Sequence, residues 1–312
     1  MLTFDKLKLV APIDVVEVLD PEAFSSIKEQ GRTKSMKLSL PDPCAITMEI
    51  NFNSREFVLE FTGKILGRDY PELISSQTIK RCFDRINELG YCRIDPEEMM
   101  RAEVVKCDIT KDVLVDDVPA MTRWIKANLS NYQAYNCRIL ANKNAIIEKN
   151  VCTLTRKKRM TIYNKQNEMA LSREIKFVSD NDLEGKFDGQ CRFELNLYSK
   201  QQIRDTLGTS GNTLAEVLRS ERNPIAEFME EVLANGPTQA SRDPGGWKDY
   251  LRRLVLKDCD YDPAKVEATI RRFKNPRTTS IPKMMEPFRE LLASRPEAEG
   301  EWTKEKLLAV LR

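Results

Sequence analysis

The feature that most constrains the fold is an alternation of apolar and polar side chains with a period of two. In residues 45–53, Ile46, Met48 and Ile50 alternate with polar side chains. This pattern is typical of a β-strand with one buried and one exposed face. Further strands are predicted over residues 57–61, 102–110, 137–140, 145–154, 159–165 and 190–198. Together they predict a mostly antiparallel sheet, without a glycine-rich phosphate loop and without an internal repeat.

Helical spacing interrupts these strands and replaces them towards the C-terminus. Pro71 is predicted to open a helix that ends at Gly90, and Pro119 to open a second helix. After about residue 200 only helical patterns follow, with apolar stripes such as Val266 and Ile270. We therefore predict an α+β domain over residues 1–200, with helices flanking the sheet, and an all-helical C-terminal domain over residues 201–312.

The chain contains no histidine among its 312 residues. This excludes Ser-His-Asp triads, Cys-His dyads and histidine metal ligands. Its eight cysteines form no C-x-x-C pair, so they are predicted to be buried, reduced thiols. Catalysis must then use other side chains. A metal site would consist of carboxylates and carbonyls, which suits Mg²⁺ or Mn²⁺.

No segment is predicted to enter a membrane. No apolar stretch approaches the ~18–20 residues that a spanning helix needs, and residues 1–10 have no signal-peptide core. A cytoplasmic location is the expectation. The net charge of only +2 does not by itself indicate a nucleic-acid partner, so that inference depends on where the charges lie.

Three predicted strands each carry chemically useful polar side chains on one face and apolar side chains on the other. The polar faces are Lys106, Asp108, Thr110 and Asp112 on the first, Arg159, Thr161, Tyr163 and Lys165 on the second, and Arg192, Glu194, Asn196 and Tyr198 on the third. A half-exposed sheet has polar outer faces in any case. These particular residues, however, would supply a carboxylate metal site, a nucleophile and phosphate-binding cations.

Positive charge is concentrated just before the candidate tyrosine. Residues 151–165 contain five cations and no acid. Four of them form a run, which consists of Arg156, Lys157, Lys158 and Arg159. Such a run is often only a solvated turn. In a hairpin leading to Tyr163 it would instead bind a nucleic-acid backbone by neutralising phosphates. Lys106 is a further candidate for DNA binding.

The order of these motifs resembles that of rolling-circle replication initiators. Asp108 lies at the end of a strand, the Tyr163-x-Lys165 motif follows, and an Arg-x-Glu strand with Glu194 lies about thirty residues beyond the tyrosine. The likeness covers roughly residues 45–200. It is greatest to the initiators of staphylococcal-type plasmids and to the replication endonuclease of filamentous phages. It implies a replication-initiator nuclease fold for the sheet domain.

The resemblance implies a role for each motif. Tyr163 would attack the scissile phosphate of one origin strand, leave a 5′-phosphotyrosine and a 3′-hydroxyl primer, and later rejoin strands. Lys165, about 7 Å along the same strand face, would favour the phenolate or hold the phosphate. Asp108 and Glu194 would bind Mg²⁺ or Mn²⁺, and Arg192 would orient Glu194 or bind phosphate.

The third metal ligand stays open at this point. Asn51 stands where some relatives carry an acid, and Glu49 on the same face is a candidate. Asp112 lies about 13 Å beyond Asp108 along an extended strand. That is too far to share an ion unless the chain bends. The nucleases that use paired histidines are excluded because this chain has none.

The implied partners are single-stranded or supercoiled origin DNA, a helicase of the host or element, and a second copy of the chain. Two alternatives remain: a DNA-binding replication regulator without chemistry, and a metal-dependent nuclease that forms no covalent intermediate. In the C-terminal part, basic side chains suit either a helix that reads the origin or the solvated face of a bundle. These side chains are Arg271, Arg272, Lys274 and Arg277.

Overall fold

The computed structural model of the chain describes most of its length. The described residues are 1–29, 32–41, 45–129, 135–140, 144–149, 158–233, 247–259, 262–273, 280–293 and 302–312. Among them, no helix is both long enough and apolar enough to cross a bilayer.

Twelve strands form one large and one small antiparallel sheet in the described residues. The strands are β1 (Phe4–Pro12), β2 (Val16–Val18), β3 (Ser25–Glu29), β4 (Arg32–Ser39), β5 (Thr47–Asn51), β6 (Glu56–Thr62), β7 (Cys92–Ile94), β8 (Glu103–Leu114), β9 (Tyr135–Ile139), β10 (Ala145–Lys149), β11 (Arg159–Asn164) and β12 (Gln190–Leu197). The ten-stranded sheet has the order β3-β4-β5-β6-β1-β8-β12-β11-β10-β9, and β2 pairs with β7 in the small sheet. The predicted antiparallel sheet is thus confirmed.

Twelve α-helices accompany the strands in the described part of the chain. They are α1 (Ile79–Glu88), α2 (Pro96–Met99), α3 (Val118–Ala127), α4 (Lys165–Met169), α5 (Ser172–Asp180), α6 (Lys200–Leu207), α7 (Leu214–Leu218), α8 (Pro224–Val232), α9 (Trp247–Asp258), α10 (Pro263–Phe273), α11 (Ile281–Ala293) and α12 (Lys304–Leu311). Pro119 lies in the first turn of α3, as predicted. Pro71 does not open a helix, because it lies inside a 3-10 segment, Gly63–Glu72, and α1 starts only at Ile79.

The alternation of side chains gives the large sheet two different faces. Leu7, Leu59, Cys107 and Leu195 point to one face and are at most 1% exposed. They form a continuous core with the apolar stripes of α1, α3, α6, α7, α8 and α12. The opposite face carries the polar partners of the same strands. Six of the eight cysteines, all buried and unbridged, are described. Cys44 and Cys152 lie outside the described residues.

The sheet consists of two halves with the same strand order. In each half a central strand, β1 or β8, is followed by four strands of which the last, β6 or β12, returns to pair with it. The two central strands pair with each other antiparallel, with Leu7 opposite Cys107. This order gives the sheet an approximate twofold repeat, which no repeat in the sequence had indicated.

The C-terminal helices divide between two cores. Helices α6, α7, α8 and α12 pack in the same core as the sheet. Helices α9, α10 and α11 form a separate cluster around Leu256, Val266 and Met285. In the described residues after 200, the regular elements are helices. A boundary between residues 200 and 201, however, does not separate the two cores.

Candidate active site

The polar side chains of β8, β11 and β12 meet on the open face of the sheet. Register places Arg192 between Asp112 on β8 and Tyr163 on β11, and it places Asn196 opposite Asp108. Glu194 lies opposite Thr110 and Thr161. Because side chains of one strand alternate between faces, these residues share one side. The strand pairing therefore brings the polar side chains of β8, β11 and β12 onto one face of the sheet.

Tyr163 lies at the end of β11 and is directed towards the middle of this face. Its hydroxyl donates a hydrogen bond of 2.6 Å to Oε1 of Glu194. The side chain is only 6% exposed. Burial, followed by the charge of Glu194, raises the pKa of Tyr163 well above its usual value, although Arg192 acts in the opposite direction. The resting side chain is therefore a phenol that needs a base to become a nucleophile.

Arg192 is fully buried and makes four hydrogen bonds. Nε and Nη2 each donate at 2.7 Å to the two carboxylate oxygens of Asp112. Nη1 donates to Asp5 at 2.6 Å and to the Tyr70 hydroxyl at 2.8 Å. A guanidinium has five N–H groups, so little donor capacity remains for a phosphate. Arg192 therefore acts by its charge and by holding Asp5 and Asp112, rather than as a phosphate ligand.

Three partly exposed carboxylates lie near one another on this face: Asp5, Asp108 and Glu194. Asn196 Nδ2 donates to Asp108 at 2.8 Å. Burial raises the pKa of Asp108, and the charge of Asp5 raises it further. Burial and the charges of Asp5 and Asp108 likewise raise the pKa of Glu194 to about 8, although Arg192 and the Tyr163 hydrogen bond lower it.

The predicted metal-ligand set is not assembled in full. Glu49 lies on β5, which is three strand positions from β8 in the sheet order. Three strand spacings of about 4.8 Å already amount to roughly 14 Å, and the register places Glu49 level with Glu103 rather than with Asp108, so Glu49 cannot share an ion with Asp108. Asp112 is held by Arg192. Oxygen donors suit Mg²⁺ or Mn²⁺, but no three acidic or cysteine side chains in the described part of the chain form a metal site.

Asp5 is the carboxylate that the sequence-based reasoning missed. It occupies an irregularity in the pairing of β1 with β8, between Phe4 opposite Ile109 and Lys6 opposite Asp108. The Thr110 hydroxyl accepts from its backbone N–H at 3.1 Å. The alternation of charged and apolar residues at the N-terminus was the available signal, because it is typical of a strand.

Lys165 reaches the site from a helix rather than from the strand. β11 ends at Asn164, whose side chain caps α4, and Lys165 is the first residue of that helix. Its ammonium donates to the Tyr70 hydroxyl at 2.8 Å and pairs with Glu168. It lies 5.7 Å from the centroid of the Tyr163 ring. Burial and the charge of Arg192 lower the pKa of Lys165, which is 1% exposed.

A small apolar cluster covers one side of the site. It joins the 3-10 segment to α4, α5 and the residues that follow, and it consists of Tyr70, Leu73, Met169, Phe177, Leu183 and Phe187. Tyr70 packs edge-on against Phe177, and its hydroxyl donates to Asp5 at 2.8 Å. A buried ion pair between Lys64 and Glu174, at 2.8 Å, ties the 3-10 segment to α5. This cover holds Arg192 and Lys165 away from water.

Replacing Gly67 by alanine is expected to loosen this cover. Gly67 has φ 62° and ψ −121°, and an added Cβ would lie 2.7 Å from Oδ1 of Asn181. We expect a loss of about 1–3 kcal/mol in the free energy of unfolding, measured by urea denaturation. Gly90→Ala is the control, since it also has positive φ but nothing within 4 Å of the added Cβ. It should cost about 1 kcal/mol. Equal losses would contradict the clash at Gly67.

The predicted DNA-binding cations have separate positions. Arg156 and Lys157 lie outside the described residues. Lys158 is partly exposed, and Arg159 Nε lies 3.7 Å from Glu148. Lys106 Nζ lies 3.5 Å from Glu60. β10 pairs antiparallel with β11, and the turn of the predicted hairpin lies outside the described residues. In α10, Arg271 pairs with Glu267 and Arg272 is exposed, while Lys274 and Arg277 lie outside the described residues.

Comparisons with known proteins find no match. No model of a known protein family matches the chain. A search of curated proteins and a search of solved structures also return no significant relative. The resemblance to replication initiators therefore stays a prediction, and a functional proposal must rest on the geometry of the site.

Proposed function

We propose that the chain is a DNA nicking and joining enzyme that starts rolling-circle replication, with Tyr163 as its nucleophile. The observation that carries this proposal is the hydrogen bond of 2.6 Å from the Tyr163 hydroxyl to Glu194. A phenol needs an adjacent base to attack phosphorus, and Glu194 is that base. The pair lies on the open face of a rigid sheet, beside two more carboxylates and the charge of Arg192.

The proposed reaction is a transesterification. The Tyr163 oxygen forms a bond to the scissile phosphorus while its proton passes to Glu194. The bond from phosphorus to the 3′-oxygen breaks, and that oxygen takes up a proton from the solvent to become the 3′-hydroxyl, while Glu194 releases its proton to the solvent. The reverse reaction rejoins the strand. Mg²⁺ or Mn²⁺ stays a prediction of this proposal, and it is tested by comparing adduct formation in the presence of Mn²⁺ with adduct formation in the presence of a chelator.

The rate of adduct formation is expected to rise with pH. Only the carboxylate form of Glu194 accepts the phenol proton, and its pKa is raised to about 8. The single-turnover rate at saturating DNA should therefore increase about tenfold per pH unit below 8 and level off above it. At pH 6 it should be about 100-fold below the plateau. In Glu194→Gln, both the high rate above pH 8 and the tenfold increase in rate per pH unit below pH 8 should disappear. A flat profile from pH 6 to 9 in the unmodified chain would exclude Glu194 as the base.

A DNA-binding regulator without chemistry is the second candidate. One observation favours it: the Tyr163 side chain is only 6% exposed and its hydroxyl is already hydrogen-bonded to Glu194. A tyrosine in this state can serve packing alone. The two candidates differ in a single product, the covalent protein–DNA adduct, which a regulator never forms.

A further inference from the structure

The polar face carries a second group of side chains beside the candidate active site. Lys8 on β1 lies opposite both Glu60 on β6 and Lys106 on β8. Tyr198 directly follows β12. The pairing of β12 with β8 ends at Leu197 opposite Cys107, and one more residue in this register places Tyr198 opposite Lys106. The Lys106 ammonium lies 6.0 Å from the centroid of the Tyr198 ring. These side chains form a row across four strands. Together with Lys6, which is two residues from Lys8 on β1 and also pairs with Glu60, we call them the lysine–tyrosine row.

The row has an excess of positive charge. Lys6, Lys8 and Lys106 all approach the carboxylate of Glu60, at 2.6, 3.4 and 3.5 Å. Burial raises the pKa of Glu60, but the hydrogen bond and charges of the three lysines outweigh it and hold this pKa below its usual value. Glu60 is therefore ionised at neutral pH. Three cations around one carboxylate leave two positive charges in excess, on side chains that are 29–38% exposed.

Tyr198 differs from the other tyrosines of this face. Tyr70 and Tyr163 are 0% and 6% exposed, whereas Tyr198 is partly exposed. The Lys106 ammonium lies 6.0 Å from the centroid of the Tyr198 ring, and burial raises the pKa of the Tyr198 hydroxyl, although the charge of Arg159 lowers it. A partly exposed aromatic ring near cations suits a nucleobase whose neighbouring phosphates are bound at the same time.

The row lies within reach of the candidate active site. Asp108 and Asn196 are each two residues from the row along their strands, and Glu194 is four residues from Tyr198. At about 3.3 Å per residue these steps are roughly 7 and 13 Å. One nucleic-acid strand could occupy both places. A continuous double helix presents no unstacked base to an aromatic ring, so the occupant that fits is single-stranded.

We propose that Tyr198 stacks on one base of a single DNA strand while Lys6, Lys8 and Lys106 bind its phosphates. This inference deepens the proposed function and rests on it, because it specifies how the nicked strand is held beside Tyr163. Glu60 keeps the three ammonium groups in place and must share them with phosphate. The lysine–tyrosine row is thus a substrate-positioning surface and takes no part in the chemistry.

The test measures binding without cleavage. Fluorescence anisotropy of a labelled mixed-sequence 15-nucleotide DNA is recorded with the full chain carrying Tyr163→Phe, in a chelator and at several salt concentrations. Stacking predicts that Tyr198→Ala weakens binding about 5- to 100-fold, whereas Tyr198→Phe, which keeps the ring, binds nearly normally. Lys8→Met should reduce the salt slope by about 0.7. Lys80→Met, on the exposed side of α1 beyond the sheet, should not change it.

Two outcomes would overturn the proposal. One is that Tyr198→Ala binds the DNA with unchanged affinity and also unfolds at the same urea midpoint as the parent chain. The other is a preference for double-stranded competitor over single-stranded competitor. Failure of the proposed function is read separately, from the covalent adduct of the chain with Tyr163 intact. If the adduct forms and Tyr198→Ala binds DNA normally, only the proposal for the lysine–tyrosine row is wrong. If Tyr198→Ala loses DNA binding and no adduct forms, only the proposed nicking activity is wrong.

Discussion

Replacing Tyr163 by phenylalanine is expected to abolish the covalent protein–DNA adduct and DNA nicking while leaving DNA binding intact. Phenylalanine keeps the ring that packs beside the Lys165 ammonium and loses only the hydroxyl that donates to Glu194. Removing a nucleophile that works with its base typically costs a thousandfold or more, roughly 10³–10⁶. The rate of DNA cleavage that we expect for Tyr163→Phe is therefore that of the reaction without covalent catalysis.

The measurement is denaturing electrophoresis of the protein after incubation with labelled single-stranded DNA and Mn²⁺. Because the origin is unknown, the DNA is a pool of oligonucleotides that covers the gene and its flanks. A labelled band that protease removes identifies the adduct. Tyr135→Phe is the matched control, since Tyr135 is also buried on the same sheet and also donates to a glutamate, Glu231. It should form the adduct normally.

Each alternative to this result has a defined meaning. Cleaved DNA without an adduct favours a nuclease in which Asp108 and Glu194 activate water. Binding without cleavage across the pool, with Mg²⁺ and with Mn²⁺, favours the regulator. An adduct that persists in Tyr163→Phe would show that another residue is the nucleophile, and the assignment of Tyr163 would be wrong.

Replacing Arg192 by methionine is expected to produce the largest loss of stability. The guanidinium is 0% exposed and is the cation that holds Asp5 and Asp112, whose side chains are 20% and 16% exposed. Methionine fills a similar volume but leaves both carboxylates without their cation. Breaking a buried ion pair from one side costs about 3–5 kcal/mol. That is a large part of the 5–15 kcal/mol that is usual for a folded domain.

The free energy of unfolding from urea denaturation checks this expectation. Arg93→Met is the control, because the Arg93–Glu17 pair is more than 60% exposed on both sides and should contribute at most about 1 kcal/mol. The double variant Arg192→Met with Asp112→Asn should recover part of the loss, since it removes one of the uncompensated charges. A loss below about 1 kcal/mol in Arg192→Met would show that Asp5 and Asp112 do not depend on this cation.

Much of the local structure followed from the sequence because it depends on neighbouring residues only. A period of two fixes which side chains of one strand share a face, and so Glu194 lies on the same face as Asn196, and Tyr163 on the same face as Arg159. Pro119 in the first turn of α3 and the apolar stripes of α10 and α11 are equally local signals. The buried state of the described cysteines followed from the apolar segments around them.

The sequence was less informative where the side a residue faces depends on distant contacts. Leu251 and Leu254 of α9 follow the spacing of an apolar helical stripe, which predicts that they are buried, but both are 41% exposed. The buried residues there are Leu256 and Cys259, which pack against α10 and α11. Helical spacing alone does not tell which of two adjacent stripes meets a partner, because that depends on how the partner helices cross.

The sequence by itself therefore determined the two-faced strands, the helical C-terminal part and the residues eligible for the site. Only the tertiary structure decided which of them meet. Pairing of β12 between β8 and β11 put Glu194 against Tyr163, the central position of β1 brought in Asp5, and the order of the outer strands left Glu49 three strand positions away from β8. The physical reason is that strand order and burial arise from contacts between residues far apart in the chain. Those contacts also set the charges and the pKa values that decide what the residues can do.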